Sequence, residues 1–289
     1  MTTATVINEA KPYQGFARFY DRVMGDAAAP LIERNFELSR RRYGIRFESA
    51  ADVGCGTGRL LSRLSKHSAV LYGVDRSAEM LAEARRRTRN NDIRFLRQDL
   101  REFLLPQRVD LITCTFDTLN YLTTPSGLKR ALGRIRDNLR DGGHFIFDVI
   151  TGAGERNRRR IIRQRFRLSN AHANWLITMD GPRNVSRVEM LWSYRGGDGQ
   201  IRQSRELHLQ RWYSLTWLCG LLQRSGLSVR GIHNATSYQP ASERTFWAHL
   251  VTRKETCPIL TRSLGGYRGV RNGDQDGKRW RSMRHRRQN

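Results

Sequence analysis

The stretch DVGCGTG, Asp52 to Gly58, places three glycines at alternate positions behind an aspartate, just after the apolar pair Ala50-Ala51. Glycine has no Cβ and tolerates positive φ, so a cluster of this kind gives the backbone room to turn tightly and to approach a ligand. Upstream, FESAADV reads as a strand leading into the turn. Downstream, RLLSRLSKH carries Leu60, Leu61 and Leu64 on one helical face.

The same rhythm continues outward. VLYGVD is a short buried strand ending at Asp75, and Ser77 is placed to cap a helix whose stripe is Met80, Leu81 and Ala84. IRFLRQD predicts a strand ending at Asp99, and VDLITCTF predicts the next. From Pro125 to Arg140, Leu128, Leu132, Ile135 and Leu139 recur at helical spacing until Asp141-Gly142-Gly143 stops them. HFIFDVI closes the series. Strands alternating with helices predict an α/β fold with a doubly wound, mostly parallel sheet of seven strands.

Around Thr151 the pattern changes. TGAGERNRRR reads as a loop, and WLITMD, SRVEMLWSY and IRQSRELHLQRWY read as strands of an antiparallel insertion. A helix from about Ser214 to Arg224 and the strands LSVRGIHNA and RTFWAHLVTRK return to the main sheet. The expected organisation is an N-terminal helical lid (1–46), a core (47–150), an acceptor-side insertion (151–213), the rest of the core sheet (214–255) and a basic, disordered tail (256–289).

The glycines do not spell a phosphate-binding loop. In G-x-G-x-x-G the third glycine would fall at Arg59 or at Leu61, and no lysine follows as G-x-x-x-x-G-K-[ST] requires. What stands here is D-x-G-x-G-x-G, which resembles the first motif of the class I S-adenosylmethionine-dependent methyltransferases, whose cofactor carries no phosphate.

That resemblance implies a set of cofactor contacts. Gly54, Cys55, Gly56 and Gly58 would let backbone approach the methionine part, and Asp52 would hold its amino group, often through water. Asp75, followed by Arg76, would accept the ribose hydroxyls. Asp99 would recognise the adenine amino group, with Leu100 and Met80 on the two sides of the ring. LRDGGHFIFDV resembles the family's LxPGG turn, with Asp141 in place of the usual proline.

FDTLNYL (116–122) and FYDRVMG (19–25) resemble a small-molecule subgroup that includes amino-sugar N,N-dimethyltransferases. In that subgroup an antiparallel insertion roofs the acceptor pocket. The resemblance places Phe116 at the cofactor, and Asp117, Tyr121 and Tyr20 are the candidate catalytic residues. Asn120, His172 and His208 are weaker candidates. Methyl transfer is an in-line displacement from an activated sulfonium, so the protein supplies orientation and desolvation; an O–H acceptor gains from a general base.

Bulk properties bound the reading. The chain has 289 residues and no signal-peptide profile, and no apolar run approaches a membrane span. Cys55, Cys114, Cys219 and Cys257 form no C-x-x-C pair, which argues against a zinc site or a disulfide scaffold and predicts a reducing cytoplasm. The net charge is +25, and only five of the 52 basic residues are lysines. Arginine of this abundance fits weak nucleic-acid association through the tail, whose Trp280 could stack on a base, or arginine-biased codon usage. The stretch Thr115-Phe116-Asp117-Thr118 lacks the [DNS]-P-P-[YFW] motif of amino-group DNA methyltransferases. Three readings stand: a small-molecule N- or O-methyltransferase, an RNA or protein methyltransferase, and a nucleic-acid-binding protein with a vestigial methyltransferase fold.

Overall fold

The computed structural model describes residues 7–88, 92–153, 158–196 and 198–256, without the side chains of 25–28. It begins with β1 (Ile7–Ala10), α1 (Ala17–Tyr20), a π-helical turn (Asp21–Gly25) and α2 (Asp26–Arg42). Next come β2 (Ser49–Val53), α3 (Leu61–Leu64), β3 (Val70–Asp75), α4 (Ala78–Thr88), β4 (Ile93–Arg97) and β5 (Val109–Cys114). A 3-10 turn (Thr118–Tyr121) leads to α5 (Pro125–Asn138) and β6 (Leu139–Ile150). The strands β7 (Arg159–Leu168), β8 (Ala171–Asp180), β9 (Val185–Arg195) and β10 (Ile201–Arg211) follow. The described chain ends with α6 (Leu215–Arg224), β11 (Leu227–Asn234) and β12 (Trp247–Lys254). The tail expected to be disordered and to bind nucleic acid lies, from Cys257 onward, outside the described residues.

One sheet has seven strands in the order β11-β12-β6-β5-β2-β3-β4. Pairs from β6 through β4 are parallel, and β12 and β11 add antiparallel at the far side. The α/β architecture expected from the alternating pattern is therefore present. All five residues of β2 are buried, as expected where helices cover both faces of a parallel sheet. The chain moves outward from β2 to β3 and β4, then crosses back to β5 on the other side of β2. The order reverses between β2 and β5, and the crevice beyond their carboxyl ends is where such sheets bind ligands.

Local signals explain several boundaries. Thr124 caps α5, its hydroxyl accepting from Gly127 N at 3.1 Å, with Pro125 in the first turn. Ser214 caps α6 by accepting from Trp217 N at 3.3 Å, and Ser77 accepts from Met80 N at 3.2 Å. Helix α5 stops at Asn138, earlier than its apolar spacing predicts. Leu139 turns extended and pairs with Val109, so the last apolar residue of the stripe belongs to the sheet. Helix α3 is only four residues long because turn structure occupies both of its flanks.

The second sheet is larger than its sequence suggests. Its order is β1-β10-β9-β8-β7, with β1 parallel to β10 and the rest antiparallel. Two of its strands escape a sequence reading. Strand β7, RRIIRQRFRL, begins inside the stretch expected to be a loop; it is an edge strand whose arginines stay in solvent. Strand β1 lies in the segment expected to be a helical lid, and its four residues give too little pattern to read. Beyond β1, the lid packs on the sheet through aromatic rings. Phe19 stacks on Trp192 at 4.9 Å and 9°, and Phe16 lies 5.1 Å from the same ring. All three are buried, and each phenylalanine contributes about 1.5–3 kcal/mol by leaving water.

Candidate active site

The glycine turn closes against the end of β3. Gly54 N and Cys55 N both donate to Val74 O, at 2.7 and 3.0 Å. All three glycines have left-handed φ, at +71° for Gly54, +52° for Gly56 and +76° for Gly58, yet each faces something different. A Cβ on Gly54 would sit 2.4 Å from Thr118 Cγ2, in the turn after β5. A Cβ on Gly56 would meet nothing within 4 Å, because that residue faces the cavity. A Cβ on Gly58 would press on Ala84 of α4 at 3.2 Å. Gly58 therefore packs helix against loop and does not line the cavity, unlike Gly54, Cys55 and Gly56.

Asp75 holds this turn in place. Its Oδ2 accepts from Gly56 N at 3.0 Å and its Oδ1 from Ser77 N at 2.9 Å. Burial raises its carboxyl above the ordinary value, and these hydrogen bonds oppose the rise. Asp52, 2% exposed, accepts from Thr113 Oγ1 at 2.7 Å. Burial pushes its carboxyl up to about 7. Asp99 is gripped by Arg101, through Nε to Oδ1 at 2.7 Å and Nη2 to Oδ2 at 2.8 Å, and this pair holds it below the ordinary value. Arg101 N also donates to Oδ1, so Oδ2 keeps an acceptor site.

These groups line one cavity of about 220 Å³. Asp52, Asp75, Arg76, Met80, Asp99, Leu100 and Phe116 all reach it, as do Tyr20 and Tyr121. Among the described residues lining it, none comes from 151–213. The walls opposite the glycine turn come from the N-terminal segment, through Tyr13, Tyr20, Ala29 and Ile32. The insertion stands behind that segment.

Asp117 is placed differently from Tyr20 and Tyr121. It does not line the cavity, and its carboxylate accepts from the Gln210 amide on β10. Burial and the neighbouring Asp148 push it up to about 7. Phe116 and Asp117 both have left-handed φ, +57° and +47°. That strained pair is held by Asp148, whose Oδ2 accepts from Phe116 N at 2.9 Å and whose Oδ1 accepts from Asp117 N at 2.6 Å and Trp247 Nε1 at 3.0 Å. Asp148 was not singled out in the sequence. Its signal is an acidic residue inside the apolar strand HFIFDVI. Asn120 is structural: its amide bridges Ile150 O, Ile150 N and Arg211 O. His172 is exposed on β8.

Tyr13, Glu206 and the role of His208 were also missed. Tyr13 OH lies 2.6 Å from Tyr121 OH, and Tyr121 OH lies 2.9 Å from His208 Nδ1. His208 Nε2 lies 3.1 Å from Glu206 Oε2. Around Tyr13, Tyr20 is edge-on at 6.0 Å, while Phe116 lies 6.3 Å from Tyr20. Alternation in RELHLQ marks Glu206 and His208 as sharing a face, but nothing local says that this face is buried.

An open sheet with a glycine turn at its switch point and an antiparallel pair at one edge is the fold of the class I S-adenosylmethionine-dependent methyltransferases. A solved S-adenosylmethionine-dependent methyltransferase from Clostridium acetobutylicum ATCC 824 superposes with a TM-score of 0.72 at 22% identity, over 84% of this chain and 99% of that one. A family model described as a methyltransferase domain matches residues 50–143. A methyltransferase-family protein of Geobacillus sp. (strain WCH70) is 30% identical over 258 residues, covering 81% of this chain and 98% of that protein. The chain belongs to the methyltransferase family. A dTDP-3-amino-3,6-dideoxy-alpha-D-glucopyranose N,N-dimethyltransferase of Streptomyces fradiae is 34% identical over 136 residues, 47% of this chain and about half, 49%, of that enzyme.

Proposed function

We propose that the chain transfers a methyl group from S-adenosylmethionine to a nitrogen or oxygen of a small-molecule acceptor. One observation carries this reading. A single cavity joins a carboxylate-lined end, at Asp52, Asp75 and Asp99, to an aromatic end, at Tyr13, Tyr20, Phe116 and Tyr121. The named activity of the Streptomyces fradiae relative, on a nucleotide-linked amino sugar, supports an acceptor of that size.

The residues fit the cofactor on electrostatic grounds. Asp52 is a buried carboxylate facing the cavity, in a setting that favours a cationic partner, and the cofactor's amino group is one. Asp75 would take the ribose hydroxyls on the acceptor sites left by Gly56 and Ser77, and Asp99 Oδ2 would face the adenine amino group. Met80 and Leu100 would flank the ring. When bound, the cofactor supplies an activated methyl group on a sulfonium. The chain's own part is orientation and exclusion of water: the lid residues Tyr13 and Tyr20 line the same cavity as the glycine turn, with Tyr121 and Phe116 beside them.

The test is calorimetric and then isotopic. Wild-type protein should bind S-adenosylhomocysteine, and Asp75→Ala should weaken that binding at least tenfold. Methyl-labelled cofactor with a fractionated cell extract should then label the small-molecule fraction. Label found only in RNA or protein would overturn the small-molecule reading and leave the methyltransferase assignment in place. Association of the basic tail with nucleic acid is a separate proposal; it predicts salt-dependent binding of an oligonucleotide that is lost on deleting residues 257–289.

A further inference from the structure

Glu206 sits on β10 with 0% exposure, and three backbone N–H groups and one imidazole nitrogen surround its carboxylate. Oε1 accepts from Gly15 N at 2.6 Å and Phe16 N at 2.7 Å. Oε2 accepts from Tyr13 N at 2.7 Å and faces His208 Nε2 at 3.1 Å. A carboxylate only accepts, at about four lone-pair sites; three take backbone N–H groups, and the fourth faces Nε2, which can bond to it only as a donor. His208 must therefore carry its proton on Nε2, which leaves Nδ1 as an acceptor. Among the described residues, the hydroxyl that reaches Nδ1 is that of Tyr121, at 2.9 Å, so Tyr121 donates to it. The Tyr121 proton is then committed, and the 2.6 Å contact with Tyr13 has to run from Tyr13 OH to Tyr121 O. Tyr13 is left with lone pairs alone to offer to the cavity it lines.

We propose that Glu206, His208, Tyr121 and Tyr13 form an oriented proton relay that presents the Tyr13 hydroxyl oxygen to the cavity as a hydrogen-bond acceptor for the nucleophile's N–H or O–H. The inference rests on reading the cavity as a methyl-transfer site. As the nucleophile's lone pair forms its bond to the methyl carbon, the methyl–sulfur bond breaks and its electron pair stays on sulfur. The nucleophile's proton passes to Tyr13, the Tyr13 proton to Tyr121, and the Tyr121 proton to His208 Nδ1. The positive charge ends on an imidazolium facing the Glu206 carboxylate, and no oxidant or reductant is consumed.

The surroundings suit hydroxyls that stay neutral between turnovers. Burial raises the Tyr13, Tyr20 and Tyr121 hydroxyls well above their ordinary value, and the charges of Asp117 and, for Tyr13 and Tyr20, Asp75 add to the rise. Arg76, with its guanidinium 6.0 Å from the Tyr121 ring centre, opposes it for Tyr121. The three backbone N–H groups on Glu206 tie the same carboxylate to the lid, so the relay is assembled only when residues 13–16 are docked. Tyr13 is the candidate catalytic group; Tyr121, His208 and Glu206 act through it as positioning residues.

The relay makes a spectroscopic prediction that needs no acceptor substrate. In protein labelled with 15N-histidine, the His208 ring, assigned by its loss in His208→Gln, should be the neutral Nε2–H tautomer with a hydrogen-bonded Nδ1. Tyr121→Phe should abolish that Nδ1 hydrogen-bond shift and keep the tautomer. A Nδ1–H tautomer would overturn the proposal. The second measurement compares S-adenosylhomocysteine with sinefungin, the analogue that carries an amine where the sulfonium methyl would be. Tyr13→Phe should weaken sinefungin roughly tenfold, the loss of one hydrogen bond to a charged donor, and leave S-adenosylhomocysteine within about twofold. Equal weakening of both would mean that Tyr13 only supports the lid, and would overturn the relay. Failure of wild-type protein to bind either compound would instead remove the methyl-transfer reading, while the tautomer result would still report on the chain of hydrogen bonds.

Discussion

Thr57, in the glycine turn, donates its hydroxyl to Asp21 Oδ1 of the N-terminal segment at 2.8 Å. Arg59 Nε reaches the same oxygen at 3.0 Å, and Arg87 of α4 pairs with Oδ2. One carboxylate thus latches the lid to the glycine turn and to the helix behind it. Asp21→Ala removes all three contacts. Each partly exposed pair contributes little, so the closed lid should lose about 1–2 kcal/mol. Amide exchange across residues 16–24 should speed roughly tenfold, while the global unfolding midpoint stays close to wild type because Phe16 and Phe19 still pack on Trp192. Unchanged exchange in this segment would show that the latch contributes nothing.

The buried carboxylates set a pH dependence. Asp52 and Asp117 are pushed up to about 7 and Asp148 to about 6, from an ordinary value of 3.8. The folded chain therefore keeps protons that the unfolded chain releases. The stability these groups contribute is fully present below about pH 4 and is lost as pH rises through 6 to 7. In the ligand-free protein, Asp52→Asn should raise stability at pH 8 by on the order of 2 kcal/mol and change it little at pH 4. Urea denaturation at both values checks this. An equal gain at both would point to packing rather than charge. The same variant should weaken S-adenosylhomocysteine binding at pH 8.

The two cavity-side glycines should respond unequally to alanine. At Gly56 the new Cβ has open space, so only the left-handed backbone is penalised, by about 1–2 kcal/mol. At Gly54 the same backbone penalty adds to a Cβ 2.4 Å from Thr118, and the total should reach roughly 3 kcal/mol or more. Denaturant midpoints rank the two. Gly56→Ala should lose cofactor affinity out of proportion to its stability, since its Cβ enters the cavity.

Asp148→Asn replaces an acceptor that serves three donors with a group that is itself half donor. At least one of Phe116 N, Asp117 N and Trp247 Nε1 would be left unpaired in a buried site, at a cost of about 1–3 kcal/mol. The emission of Trp247 should shift with the loss of its indole partner. A variant as stable as wild type would mean that the strained pair at Phe116 and Asp117 is held by other contacts.

The carboxylate-lined end of the cavity was legible in the sequence because it is local. Each of Asp52, Asp75 and Asp99 closes a short apolar run, and the strand–turn–helix rhythm alone puts three such ends on one edge of a parallel sheet. The glycine spacing and the missing lysine narrowed the ligand further. Gly58 shows the limit even there, since nothing in D-x-G-x-G-x-G says which glycine faces the cavity and which packs on Ala84. Asp117 shows it again: it stands in the motif beside Phe116, yet left-handed backbone at both residues turns its carboxylate toward Gln210 and away from the cavity.

The aromatic end of the cavity was decided by tertiary structure. Tyr13, Tyr121, Glu206 and His208 lie on segments separated by roughly 90 to 190 residues, and they meet because β1 adds to β10 and the lid docks on the aromatic face of the insertion. Periodicity reports which face of a segment is apolar; it carries no information about which distant segment will cover that face. Edge strands are weaker still: β1 has only four residues, and in β7 arginines in solvent erase the alternation that marks a strand. Sequence by itself determined the sheet, the glycine turn and the line of carboxylates, all products of short-range stereochemistry and hydrophobic period. The direction of the Glu206–His208–Tyr121–Tyr13 chain came only from the folded state, where a buried carboxylate with every lone pair engaged leaves each proton along the chain a single place to sit.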